Sequence, residues 1–183
     1  TGFVPLPLSF NVQGALLRPQ YPRDNDELEV KAGSFDIGFH PTLADRMVLF
    51  GNTSTVDTGY PGQTFVPTPF DESSVTNSSL GGGWSHTFGE RNVLQAFVVG
   101  NINDSDQQVD LVDAIGPYRI NDSADQDTLT GGAGQMIGIG PLTARFGVEA
   151  SRYDLEQTLV YTDLITNLVY QVDQFSSEGR VVR

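Results

Sequence analysis

The chain contains no cysteine in 183 residues. That excludes disulfides, thiolate metal sites and cysteine nucleophiles together, and it leaves the compartment open. Basic residues are also scarce, ten Lys and Arg against twenty-three Asp and Glu, for a formal charge of −13. A nucleic-acid partner needs a positive face, so none is expected. An anionic membrane surface is disfavoured for the same reason. No apolar run approaches the roughly 20 residues of a membrane helix, and membrane insertion is not expected. The start, TGFVPLPLSF, lacks a basic flank and an initiator Met, so no signal peptide is legible and a processed chain is suggested.

Histidine is nearly absent too. His40 and His86 stand in no HxH or HExxH pattern, so no metal site is expected. No GxSxG marks a nucleophile elbow. Asp104, Asp106, Asp125 and Asp127 are hard oxygen ligands, but EF-hand spacing is missing. The two echoing stretches that hold them, INDSDQQVD and INDSADQDT, read as polar turns bracketing one strand.

What is present is β texture. Residues 1–27 carry four prolines and read as an extended arm, too apolar to hang free and expected to lie buried against another chain. Residues 28–183 read as one β-barrel domain with a C-terminal extension. LEVKAGSFDIGFH alternates, and GGGWSHTFGERNVLQAFVVGN reads as a hairpin about a GERN turn. The stretch from Asp57 to Ser79, rich in Pro, Gly and Ser, reads as a long loop with a short strand. Leu164 to Asn167 suits a turn between two late strands. The fold expected is all-β: a small antiparallel barrel of about eight strands behind a Pro-rich N-terminal arm.

The glycines of TLTGGAGQMIGIG do not suit a phosphate. No Lys-Ser/Thr follows them, the spacing is GxGxxxG, and Pro141 stands where a helix would run. Gly131, Gly132, Gly134 and Gly138 are instead expected to form a barrel corner, with Gly132 and Gly134 in backbone conformations closed to other residues. Asn52, Asn77, Asn103 and Asn121 each begin an N-x-Ser/Thr sequon in a polar, loop-like stretch, which suits glycosylation of a secreted chain.

Thr130 to Gly134, followed by Ile137 and Gly138, is similar to the Gly-rich segment of the allene oxide cyclase and dirigent-protein barrels, with Met136 in place of the usual Phe and Ile139 in place of the usual Ala. The resemblance implies an eight-stranded barrel, often oligomeric, with an apolar cavity and no cofactor. It would act by positioning a reactive apolar molecule. Asp36 is the nearest match to the acid that polarises the substrate. Phe35, Ile37, Trp84 and Phe97 would then face the ligand.

Three functions stay open on these grounds. The favoured one is a non-catalytic structural subunit of a secreted or lumenal assembly, tied to other protein chains, or to copies of itself, by the arm. The second is a cofactor-free barrel of cyclase or dirigent type. The third is an outer-membrane β-barrel.

Overall fold

The computed structural model describes residues 8–19, 27–63, 66–89, 91–112 and 116–182. Eight strands follow one another: β1 (Leu8–Leu17), β2 (Leu28–Phe39), β3 (Asp45–Gln63), β4 (Val66–Phe88), β5 (Asn92–Val112), β6 (Pro117–Ile139), β7 (Leu142–Asp163) and β8 (Val169–Val182). They form one antiparallel sheet in sequence order. The described residues contain no helix, and β1 and β8 pair with no strand beyond β2 and β7. The expected all-β class and strand number are therefore observed, in a sheet that is not closed.

The fully described connections, 40–44, 140–141 and 164–168, are short, so each sets a strand beside its successor. Gly89 and Gly140 supply positive φ (68° and 59°) at the β4–β5 and β6–β7 turns, where a side chain would be strained. The Arg91 guanidinium donates to the Gly140 carbonyl and ties these two turns together. The β2–β3 turn is held by Thr42, whose hydroxyl oxygen accepts the Ala44 and Asp45 amides at 3.2 and 3.0 Å.

The β7–β8 turn falls where expected, on Leu164 to Asn167. One carboxylate oxygen of Asp163 accepts the Ile165 and Thr166 amides at 2.7 and 2.8 Å, and Asn167 takes φ 56°. The amides of Thr166 and Ile165 hold the Asp163 carboxyl below the ordinary carboxylate range. A depressed folded-state pKa contributes stability that is complete above the ordinary value of about 4 and is lost as pH falls through the lowered one. Protection of the Ile165 and Thr166 amides from exchange is therefore expected at neutral pH and lost in acid. Asp163→Asn, which caps without titrating, should remove that pH dependence.

Several expectations are corrected. The arm is in part a strand: Leu8–Leu17 pairs with β2 from Leu8↔Phe39 to Leu17↔Val30, and within this chain all ten of its residues are exposed. Residues 1–7 and 20–26 lie outside the described residues. The supposed loop after Asp57 is the continuation of β3 and β4, whose register runs on to Gln63↔Val66. The two Asp-rich stretches lie inside β5 and β6, where Asp104 pairs with Asp125 and Asp106 with Ser123. A strand wetted on both faces needs no apolar residue to continue, so its polar run imitates a loop. The glycine cluster is no corner. Gly131, Gly132, Gly134 and Gly138 lie within β6 without positive φ.

No described hydrophobic residue is fully buried. A soluble sheet of this size needs an apolar layer on one face, covered by another layer. Here the apolar layer exists and nothing among the described residues covers it.

Candidate functional site

Side chains alternate between the two faces of a strand, and cross-strand partners share a face. The register therefore sorts every residue. One face, called here the band face, carries Leu8, Phe10 and Val12 of β1 beside Phe39, Ile37 and Phe35 of β2. The row continues through Met47 and Leu49, then Leu80 and Trp84, then Leu94 and Val98. It passes over Leu129 and Ile137 to Phe146 and Val148. These side chains point away from the sheet: Phe10 is 76% exposed, Leu129 56% and Phe146 56%. Patches of this extent mark an interaction surface and are not ordinary on a monomer in water.

The band occupies only the half of the strands nearest the turns at 40–44, 89–91 and 140–141. β4 is 23 residues long, about 75 Å at the usual rise of ~3.3 Å per residue. A membrane-spanning strand uses about 9–11 residues. Along β5 the band runs from Leu94 to Ile102, after which the same face carries Asp104 and Asp106. Neighbouring strands change at the same level, to Asp125 and Asp127 on β6 and Asp154 and Glu156 on β7. Arg152 marks the border and reaches Asp154 at 3.1 Å and Glu178 at 3.5 Å. Further out, Glu29 lies between Arg18 at 2.7 Å and Lys31 at 2.8 Å, which together hold its carboxyl below the ordinary range. The Arg119 fork on Asp110 closes at 2.7 and 2.9 Å and raises the guanidinium pKa. The far half is thus acidic and wetted on both faces.

At the rim beside the short turns, the band face carries an aromatic cluster. Trp84 and His86 both donate to one oxygen of Asp45, at 3.1 and 2.7 Å, and Thr42 donates to the other at 2.6 Å. The Phe88 ring stands edge-on to His86 at 4.3 Å. Rings with an apolar body and a satisfied polar tip suit a boundary between hydrocarbon and water.

The opposite face at the same level is mixed. It carries Asp36, Arg46, Gln95, Arg145 and Glu149 beside Phe50 and Phe97, over a floor of glycines. A Cβ on Gly147 would lie 2.7 Å from the Ala133 carbonyl oxygen and 3.0 Å from the Gly134 Cα, and one on Gly132 would lie 2.9 Å from the Val148 oxygen. Close backbone approach, rather than unusual φ, is what these positions require. A groove of about 660 Å³ lies over them, lined by Phe97, Gln95, Met136 and Arg145.

The residues singled out from sequence do not converge. Asp36 lies on the opposite face from Phe35, Ile37 and Trp84, and it accepts a hydrogen bond from Asn11 at 3.0 Å across the β1–β2 pair. Phe97 lies on the face of Asp36, two strands beyond β3. Gly131 is on the band face, whereas Gly132, Gly134 and Gly138 are on the other. Asn52, Asn77, Asn103 and Asn121 lie within strands, not in loops. What sequence reading missed is the band itself. Its signal was the same alternation used to find the strands, read hairpin by hairpin and never summed across them.

No family model matches the sequence, and no curated protein matches it significantly. Solved structures do share the fold. The ferric citrate transporter FecA in its unliganded form superposes with a TM-score of 0.66 at 10% identity, covering 99% of this chain and 29% of that one. P. aeruginosa FpvA bound to heterologous pyoverdines gives 0.65 at 8% identity, covering 95% and 29%. The chain thus spans under a third of the length of either transporter. Both are outer-membrane TonB-dependent barrels, and neither is a cyclase or dirigent barrel. With the uncovered apolar band, these likenesses correct four expectations: a secreted or lumenal location, a structural subunit of a secreted assembly, cyclase or dirigent character, and the absence of membrane insertion. Charge and helix hydropathy do not decide the matter, because a β-barrel crosses a membrane on alternate residues and needs no long apolar run. The fold that this chain shares is that of the transporter barrel wall.

Proposed function

We propose that this chain is an arc of the wall of an outer-membrane β-barrel of transporter type. The carrying observation is the apolar band, which lies on one face only and is interrupted by no charge between the Asp45 rim and Arg152. In this reading the band meets lipid, the opposite face lines the interior, and the acidic far halves stand in water beyond the membrane. The free edges of β1 and β8 cannot remain open in hydrocarbon, where every backbone polar group must be paired. Further strands completing a wider barrel would satisfy them. The superposition of nearly the whole chain on under a third of each transporter supports that arrangement over closure of eight strands on themselves.

Trp84, the one tryptophan of the chain, tests the reading. Folded into liposomes, the protein should lose most of its tryptophan emission when the lipid is brominated near the headgroup end of its acyl chains. An aqueous quencher should act weakly. Equal quenching from water with either lipid would refute a lipid-facing band.

A further inference from the structure

Beyond the groove, the opposite face carries a region that none of the preceding roles uses. Two adjacent cross-strand rows run over β3 to β7 just where the band ends. One joins Asn52, Ser79, Asn101, Thr128 and Tyr153. The next joins Ser54, Asn77, Asn103 and Gln126. Neither row holds a charged residue, in a chain of net charge −13.

Elsewhere in the sheet, polar side chains pair across strands. Thr130 meets Ser151 at 3.0 Å, Gln157 meets Asp122 at 2.8 Å and Thr53 meets Ser78 at 2.9 Å. In the two neutral rows, by contrast, no amide side chain among Asn52, Asn77, Asn101, Asn103 and Gln126 has a hydrogen-bond partner among the described residues. Asn103 Oδ1 is buried as well as unpartnered. An unmade bond at a buried acceptor is costly, and a small turn of the amide would present it to the open side. Each amide offers a carbonyl acceptor and two donors.

Tyr153 completes the set. Its ring lies across Gly179 of β8, where a Cβ would collide with it, so one ring face is backed by the sheet. Tyr153 is nevertheless 38% exposed. A supported aromatic ring beside neutral amides matches the two surfaces of a sugar, its C–H face and its hydroxyl rim. A charged chelate would need fixed counter-charges, and these rows have none.

We infer that these rows bind an uncharged, polyhydroxylated ligand, a saccharide, on the inner face of the arc. The inference rests on the proposed reading that this face is the water-filled interior.

The test uses the folded chain in detergent micelles and a neutral maltodextrin of about six glucose units, with calorimetry and saturation-transfer NMR as readouts. Binding is expected, with contacts from the sugar to Tyr153. Asn103→Leu should weaken it about fivefold or more, the loss of one hydrogen bond of ~1 kcal/mol. Tyr153→Leu should weaken it as much, while Tyr153→Phe keeps the platform and the binding. Asn121→Leu, an amide on the band face, should leave it unchanged. Circular dichroism establishes that each variant is folded. No binding by the folded chain, or binding indifferent to both Asn103→Leu and Tyr153→Leu, would overturn the inference. So would ferric citrate occupying the same rows in place of the sugar. Trp84 quenching in brominated liposomes reads membrane insertion separately, so loss of sugar binding and loss of the barrel reading are distinguishable.

Discussion

Replacing Val98 by arginine should destabilise the membrane-folded chain by about 2–4 kcal/mol, the cost of a charge on the lipid face near the bilayer midplane. Val98 is 51% exposed and sits in the middle of the band, in one cross-strand row with Leu49, Gly82, Gly131 and Ala150. In water such a substitution at an exposed strand position would cost within about 0.5 kcal/mol. Gln95→Arg is the matching control. It lies three residues away on the same strand, on the opposite face, beside Gly134. A guanidinium there projects over the groove and stays hydrated, so its effect should be small. Denaturant titration of the two variants in liposomes measures the difference. Equal costs would mean that the two faces of β5 meet the same medium.

The second large effect is expected at Gly147. Valine there would bring a Cβ to 2.7 Å from the Ala133 carbonyl oxygen, a backbone atom that cannot move without opening the β6–β7 ladder. Overpacking of this kind costs about 1–3 kcal/mol. Gly100→Val is the comparison, because its nearest obstacle is the Leu80 oxygen at 3.9 Å. Valine favours strands, so that substitution should be neutral or stabilising. The measurement is again the unfolding midpoint, read alongside the β signal in circular dichroism. A Gly147→Val chain as stable as the parent would mean that the β6–β7 approach is looser than the backbone geometry requires.

The parts of the fold legible in the sequence were those where one face is apolar and the other is not. Trp84, His86 and Phe88 alternate with polar residues on β4, and the hairpin about the following turn was legible from them. Leu164 to Asn167 was legible through its turn chemistry, since an Asp precedes it and an Asn can take positive φ. The stretches around Asp104 and Asp125 were misread because alternation vanishes when both faces are wet, and Asp and Asn are then indistinguishable from turn residues. The glycines of β6 were given a corner and lie instead within a strand. Composition shows that glycine is needed, but not whether for φ or for close approach. Candidate site residues suffered from a simpler omission. Asp36 and Phe35 are adjacent in sequence, so in a strand they must face opposite ways and could never have lined one cavity together.

The absence of cysteine allows the most direct test of the whole account. Single cysteines placed in turn at positions 93 to 100 on β5 report without background. Each is spin-labelled in liposomes, and its collision rate is measured with lipid-soluble oxygen and with a water-soluble nickel chelate. Positions 94, 96, 98 and 100 share the band face, and 93, 95, 97 and 99 share the other. A membrane-embedded wall requires a period of two, with oxygen favoured at the even positions and nickel at the odd ones. Nickel access of similar size at all eight positions would place both faces of β5 in water and contradict a membrane-embedded wall.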